Sequence, residues 1–124
     1  MWKQYNPNPS GRAVGDCAVR ALTAALGVDW DTAYILMTLE GFHQKDMLSS
    51  NSVWGAVLRQ HGFTRHAIPN DCPDCFTFED FANEHPQGTF VLGTGSHTAT
   101  VKDGVIHDSW DSRNEIPQYY WRKE

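Results

Sequence analysis

Three residues have the side chains needed for thiol-dependent acyl transfer: Cys17, His97 and Asp108. In that chemistry a thiolate attacks a carbonyl carbon, an imidazole moves the proton, and a carboxylate orients the imidazole. Cys17 follows Asp16 at the predicted start of a helix, where free backbone N–H groups and the helix dipole favour a thiolate. The alternative for Cys17 is a small buried hydrophobic side chain, which is a common environment for a free cysteine.

The relation between His97 and Asp108 depends on a predicted β-hairpin. The Asp-Gly pair at 103–104 favours a two-residue turn, which sets Val101 opposite Ile106. Side chains alternate along a strand, so this register puts His97 and Asp108 on one face, within hydrogen-bond reach. A three-residue turn would send Asp108 to the other face. The shared face is the more apolar one, so the pair is expected to point inward, either for chemistry or as a satisfied core pair.

A second group of candidate ligands lies in the middle of the chain, where two residues separate Cys72 from Cys75. Two thiolates at this spacing, with His66 and His85, offer the four ligands of a tetrahedral zinc site. The sequence signal for zinc is strong when two such cysteine pairs are present, whereas this chain has one pair and no regular pattern places either histidine. The default prediction is therefore a structural turn with free thiols and no metal or other cofactor, with zinc as the alternative.

The order of the predicted elements, helices first and a sheet afterwards, indicates an α+β fold. Apolar residues at helical spacing between caps and glycine stops predict helices over 16–27, 29–41 and 50–62. The first helix carries Cys17 and is small and apolar nearly all round, so we expect it to be the buried central helix. Residues 42–49 are predicted to be a loop. Thr77 and Asp80 begin a short fourth helix that Pro86 ends.

Strand signals dominate the last third of the chain. Alternation with a period of two predicts an antiparallel meander over 89–93, 97–101 and 105–109. Residues 63–68 are predicted to form a short edge strand, and 119–121 a further strand. The first sixteen residues are rich in Asn, Pro and Gly and predict an ordered but irregular arm. The length of 124 residues suits one core, so we expect a single domain over residues 1–124.

The segments around the three chemical residues resemble a known family. They are Gly15-Asp16-Cys17-Ala18-Val19-Arg20-Ala21, Gly95-Ser96-His97-Thr98-Ala99-Thr100-Val101 and Ile106-His107-Asp108-Ser109-Trp110. In this order, after an Asn- and Pro-rich arm, they resemble the small papain-like cysteine peptidases of phages and prophages, which are similar to the bacteriocin-leader peptidases. The resemblance spans nearly the whole chain.

The resemblance implies a papain-like α+β fold and a thiol-dependent hydrolase, a peptidase or amide-bond hydrolase with a peptide or protein substrate. Cys17 would be the nucleophile, His97 the general base and acid, and Asp108 the orienting carboxylate. The sequence departs from the family at Gly11, where papain-like enzymes usually carry a Gln that stabilises the oxyanion. Three amide side chains of the arm are candidates to replace it: Asn6, Asn8 and Gln4.

The missing Gln also favours a rival interpretation, in which the same fold is catalytically degenerate and serves as an interaction module. In that case Cys72 and Cys75 are candidates to hold a stabilising zinc ion. The sequence leaves the oligomeric state open.

The composition limits the partners that this chain is expected to have. Hydrophobic residues make up 40% and charged residues 20%, which is typical of a globular protein. The net charge of -5 is the opposite of what nucleic acid binding favours. Neither a basic start leading into a long apolar segment nor a spanning apolar run is present, so we expect a cytoplasmic protein without membrane partners.

Overall fold

The computed structural model describes residues 1–69 and 76–124. In these two ranges the chain is α+β, with four helices and a six-stranded mixed sheet. The helices are α1 (Cys17–Leu26), α2 (Trp30–Gln44), α3 (Asn51–Gln60) and α4 (Phe78–Glu84). The strands are β1 (Trp2–Gln4), β2 (Phe63–Ala67), β3 (Thr89–Gly93), β4 (Thr98–Lys102), β5 (Val105–Asp108) and β6 (Tyr119–Lys123). Their order in the sheet is β1-β5-β4-β3-β6-β2.

Helix α1 is the central helix, as its composition predicts. Every residue from 18 to 24 is buried, and the helix ends at Gly27 in the left-handed conformation. The hydroxyl of Thr100 on β4 donates a hydrogen bond of 2.6 Å to the Ala21 carbonyl of α1. This bond fixes the height of α1 over the middle of the sheet.

Both faces of the sheet are covered. On one face α1, α2 and α3 pack against β3 and β6 around Leu22, Met37 and Trp121. On the other face α4 packs against β3, β4 and β5. The more polar face of β4 is therefore covered as well, and its Thr98 and Thr100 are buried.

The hairpin between β4 and β5 has the predicted register. Lys102 pairs with Val105, and Val101 pairs with Ile106. Asp103 and Gly104 have φ values of 50° and 77°, as a two-residue turn of this handedness requires. The local turn chemistry therefore decides which side chains of β5 face those of β4.

The N-terminal arm begins with a strand that the sequence did not predict. Strand β1 pairs in parallel with β5, and Trp2 lies opposite Ile106. A three-residue strand is too short to show a period, so its side-chain pattern carries no signal. The remainder of the arm runs from this sheet edge to the start of α1.

Helix α2 is longer than predicted, because Gly41 lies inside it and does not end it. A Cβ atom at Gly41 would come within 2.8 Å of the Asp46 carbonyl oxygen. Gly41 therefore allows the following loop to pack closely against the helix, and Lys45 ends the helix with a φ of 60°.

The remaining predicted elements are confirmed with small shifts in their ends. Thr77 and Asp80 form the reciprocal capping box that begins α4. Strand β2 lies at an edge of the sheet, and β6 lies between β2 and β3. In the described ranges, none of the helices combines the length and the apolar character that a membrane span needs.

Candidate active site

The ends of three elements bring Cys17, His97 and Asp108 together. Cys17 is the first residue of α1, His97 directly precedes β4, and Asp108 is the last residue of β5. Nε2 of His97 lies 2.7 Å from Oδ2 of Asp108, which is the contact that the hairpin register predicts. Because Nε2 is engaged by the carboxylate, Nδ1 is the ring nitrogen available to the thiol of Cys17.

The half-buried thiol of Cys17 lies in an environment that favours its ionised form. Burial raises the pKa of the thiol, but hydrogen bonding to His97 and to the Thr98 N–H and the charges of His97 and Arg20 outweigh burial. The net effect is a pKa below the ordinary value of a cysteine. Because α1 begins at Cys17, the positive end of its dipole acts in the same direction.

The imidazole of His97 is held in its charged form. Burial lowers its pKa, whereas the hydrogen bonds and charges of Asp108 and Cys17 raise it to about 9. The pKa of Asp108 is raised by burial but lowered below its ordinary value by the hydrogen bond of His97, the nearby Ser112 hydroxyl and the charges of His97 and Arg20. All three shifts act in the same direction, towards a thiolate, an imidazolium and a carboxylate in one row.

A second cation engages the Asp108 carboxylate from α1. The guanidinium of Arg20 donates to Oδ1 of Asp108 at 3.1 Å, and it also pairs with Asp16 one turn earlier on the helix. Asp16 in turn accepts a hydrogen bond of 2.9 Å from the indole of Trp30. Arg20 and Asp16 are four positions apart, one turn along the helix, whereas the bond from Arg20 to Asp108 spans 88 positions and has no local signal.

This network corrects the predicted role of Asp16. Asp16 occupies the N-cap position of α1, but its side chain makes no capping hydrogen bond. Its two carboxylate oxygens are used by Arg20 and Trp30 instead. The first N–H groups of α1 are therefore left free of the usual side-chain cap, next to the Cys17 sulfur.

Two aromatic rings shield His97 from solvent. Phe78 is stacked on the imidazole at a centroid distance of 6.5 Å, and Trp110 lies 4.7 Å from it. The Ser109 N–H donates to Oδ1 of Asp108 at 2.8 Å. The Ser112 hydroxyl is buried near this carboxylate without forming a hydrogen bond of ordinary geometry in the described part of the chain. Shielding of this kind strengthens the attraction between the charged groups.

The site opens into a cleft of about 620 Å³ between the arm, α1, α2 and the loop before β4. One wall is aromatic and apolar, and Trp30 and Tyr34 stack there at 5.0 Å. Tyr119 also lines the cleft, and it packs so closely on Gly93 that a Cβ atom there would overlap its ring. Cys17 and His97 both line this cleft.

The three candidate oxyanion donors have different positions. Asn8 lines the cleft, and its Oδ1 accepts hydrogen bonds from the backbone and hydroxyl of Ser10. This arrangement leaves its Nδ2 amide without an acceptor in the described ranges. Asn6 uses its Nδ2 on carbonyl groups of the arm, and Gln4 belongs to β1; neither is among the cleft-lining residues. Gly11 has a φ of 72°, a conformation that a Gln side chain would strain.

The zinc alternative is only partly covered by the structure, because Cys72 and Cys75 lie outside the described residues. Nδ1 of His85 lies 2.7 Å from the Phe81 carbonyl oxygen, and its ring stacks on Phe81. His66 stacks on Tyr120. Within 1–69 and 76–124, no three His, Cys, Asp or Glu residues form a group suited to a metal ion.

Comparisons with known proteins give no relative: no family model matches the chain, and neither the curated proteins nor the solved structures contain a match. The evidence for the chemistry of the site is therefore the geometry of its own residues. A depressed thiol pKa, an adjacent imidazolium and a buried carboxylate are the requirements of nucleophilic catalysis by cysteine.

We expect Arg20→Met to reduce the free energy of unfolding by about 3 kcal/mol or more, because it leaves the buried carboxylates of Asp16 and Asp108 without their cation. Urea denaturation measures this loss. Arg113→Met is the matched control, since it breaks an exposed pair with Asp111 and should leave stability close to wild type. Equal stability of Arg20→Met and the wild type would contradict the role given to Arg20.

Proposed function

We propose that this chain is a papain-like thiol hydrolase, a peptidase or amide-bond hydrolase with Cys17, His97 and Asp108 as its catalytic triad. The observation that supports this best is the continuous row from the buried carboxylate through the imidazole to a thiol at the start of a helix. A structural core pair of His97 and Asp108 would not require a cysteine with a lowered pKa on the wall of a cleft.

The acylation step follows from the charge states of the site. The Cys17 thiolate attacks the carbonyl carbon of the scissile amide, and the C–S bond forms as the carbonyl oxygen becomes an oxyanion. The imidazolium of His97 then donates its Nδ1 proton to the departing nitrogen, and the C–N bond breaks. The products of this step are a thioester on Cys17 and a free amine.

Deacylation reverses the role of the imidazole. Neutral His97 takes a proton from water, whose oxygen attacks the thioester carbonyl. Collapse of this second tetrahedral intermediate breaks the C–S bond and releases a carboxylic acid. The thiolate and the imidazolium are restored, and Asp108 holds the ring in one orientation throughout.

The oxyanion requires N–H donors, and two residues that line the cleft are candidates to supply them. The backbone N–H of Cys17 belongs to the free first turn of α1. The Nδ2 amide of Asn8 reaches the cleft from the arm, with its orientation set by the bonds of its Oδ1 to Ser10. We assign Asn8 the role that Gln has in papain-like enzymes, because Asn6 and Gln4 do not line the cleft.

The cleft suits a peptide or protein substrate. Its apolar wall at Trp30 and Tyr34 can bind a hydrophobic side chain, and its rim carries the polar residues Ser10, Ser49 and Asn51. The cleft opens at the surface, so an extended chain can lie across the Cys17 sulfur. The rival interpretation as an interaction module uses the same cleft without the chemistry, and the thiol reactivity separates the two.

We expect Cys17 to react with iodoacetamide at mildly acidic pH, because its lowered pKa keeps the thiolate populated there. His97→Ala removes the hydrogen bond and the positive charge that lower this pKa. The pKa seen in the labelling profile should rise towards the ordinary cysteine value of about 8.5, and labelling at pH 6 should fall about tenfold or more. Peptide mapping assigns the label to Cys17, and His107→Ala serves as the control.

If the labelling profile of Cys17 shows a single step at the pKa of an ordinary cysteine, and His97→Ala leaves that pKa unchanged, the ion pair between Cys17 and His97 is contradicted. Equal labelling of Cys17, Cys72 and Cys75 at all pH values would favour the interaction module.

We expect Asn8→Ala to lower kcat for hydrolysis of p-nitrophenyl acetate by about 10²-fold, the usual loss of one oxyanion donor. Gln4→Ala is the matched control, since Gln4 is an exposed amide on β1 that does not line the cleft. The release of p-nitrophenolate measures both variants. If Asn8→Ala retained the wild-type kcat, or if Gln4→Ala lost as much, the oxyanion role of Asn8 would be wrong.

A further inference from the structure

An exposed apolar stripe runs along α2 on the side that faces away from the core. Five of the eight exposed large hydrophobic side chains in the described ranges lie between residues 34 and 47. They are Tyr34, Ile35, Leu39, Phe42 and Met47; Tyr34 belongs to the cleft wall, where it stacks on Trp30, and the other four make up the stripe. Phe42 is 74% exposed and Ile35 is 56% exposed, which is unusual for side chains grouped on one surface.

Helical geometry puts the stripe residues that belong to α2 on one side of the helix, and Met47 follows the end of the helix. Successive residues turn by about 100°, so Ile35, Thr38 and Phe42 share a face, and Ala33 and Met37 point to the buried side. The hydroxyl of Thr38, in the middle of the stripe, donates to the Tyr34 carbonyl of its own helix. Its polar group is therefore satisfied when the stripe is covered.

The two ends of the stripe differ in shape. At its C-terminal end Gly41, Phe42, Lys45, Asp46 and Met47 surround a shallow cavity of about 310 Å³. Towards its N-terminal end the exposed Ile35 side chain projects from the helix. One end of the stripe thus has a cavity and the other a side chain that can fill it.

Within the part of the chain that the structure describes, a charged side chain without an ion pair lies at each end of the stripe, and the two are of opposite sign; the carboxylate of Asp46, next to Lys45, accepts hydrogen bonds from the Met47 N–H and the Ser50 hydroxyl. Asp31 lies in the first turn of α2, on the same line as Ile35. Lys45 ends the helix, and its Nζ lies 3.9 Å from the centroid of the Phe42 ring, which places it on the stripe. Among residues 1–69 and 76–124, neither Asp31 nor Lys45 forms an ion pair.

We propose that α2 is the interface of a homodimer, in which two copies pack their stripes antiparallel about a two-fold axis near Thr38. Asp31 and Lys45 are equally distant from Thr38 along the chain, so the axis sets Asp31 of each copy against Lys45 of the other. The same rotation brings Ile35 of each copy opposite Gly41 of the other, at the part of the cavity lined by Gly41 and Phe42.

The match of charge and shape under a single rotation is the reason for choosing a second copy over a different protein. A two-fold axis makes each contact twice, so the interface between the two α2 helices contains two ion pairs and two filled cavities. The stripe holds only a few large side chains, so the area that the dimer buries is small. The dimer is therefore weak and reversible, with a dissociation constant in the micromolar range or above.

Sedimentation equilibrium from micromolar to millimolar concentration tests this interface with a charge exchange. Asp31→Lys alone and Lys45→Asp alone each set two like charges against each other, and each should raise the dissociation constant about tenfold or more. The double variant recreates both ion pairs in reverse and should restore the dimer. Aspartate is among the residues that tolerate the left-handed conformation of position 45.

Two further variants complete the test. Ile35→Ser removes the side chain that fills the cavity and should also weaken the dimer, whereas Lys102→Asp alters an exposed charge outside the stripe and should not. Circular dichroism and the melting temperature show that each variant is folded. A monomer at every concentration would overturn the proposal and leave the stripe to a different partner. The proposal would also be overturned if neither single charge reversal raised the dissociation constant, or if the double variant did not lower it again.

Discussion

The buried carboxylate of Asp108 organises the site. It is inaccessible to solvent, and an ionised carboxylate in such a position needs charged and hydrogen-bonding partners. His97 engages one of its oxygens, and Arg20 and the Ser109 N–H engage the other. Through these bonds one group fixes the orientation of the imidazole and ties the end of β5 to the first turns of α1, where Cys17 lies.

Two local features, on separate elements of the fold, bring the partners of Asp108 to the buried carboxylate. The two-residue turn at Asp103 and Gly104 sets the register that points Asp108 towards His97. The bond from Thr100 to the Ala21 carbonyl fixes α1 over β4, so the first residue of α1 reaches the imidazole that precedes this strand. Arg20 then connects Asp108 to Asp16 and, through it, to Trp30 on the cleft wall. The position of the Cys17 thiol and the shape of the cleft therefore depend on the same ion pairs.

The sequence predicts the features whose causes are local. The capping box of Thr77 and Asp80 and the Asp-Gly turn are determined by neighbouring residues, and both are found as predicted. The hydrogen bond from His97 to Asp108 follows from that turn by alternation alone. The sequence thus indicates the candidate triad and the α+β arrangement that positions it.

Features that depend on residues far apart in the chain are not predictable in this way. The bond from Arg20 to Asp108 joins α1 to β5, and β1 pairs with a strand from the other end of the chain. The position of Gly41 in the sequence suggests a helix stop, but the structure requires a glycine there because the Asp46 carbonyl packs closely against it. The choice of Asn8 among three amides also depends on the tertiary path of the arm.

The formation of a thioester on Cys17 tests the central claim most directly. A peptidyl p-nitrophenyl ester is mixed with the protein, the reaction is stopped with acid at successive times, and the intact mass and the modified peptide are determined. We expect one acyl adduct on Cys17 that forms, decays as the acid product is released, and turns over more slowly in His97→Ala. The absence of any adduct, or a stable adduct spread over the three cysteines, would contradict it.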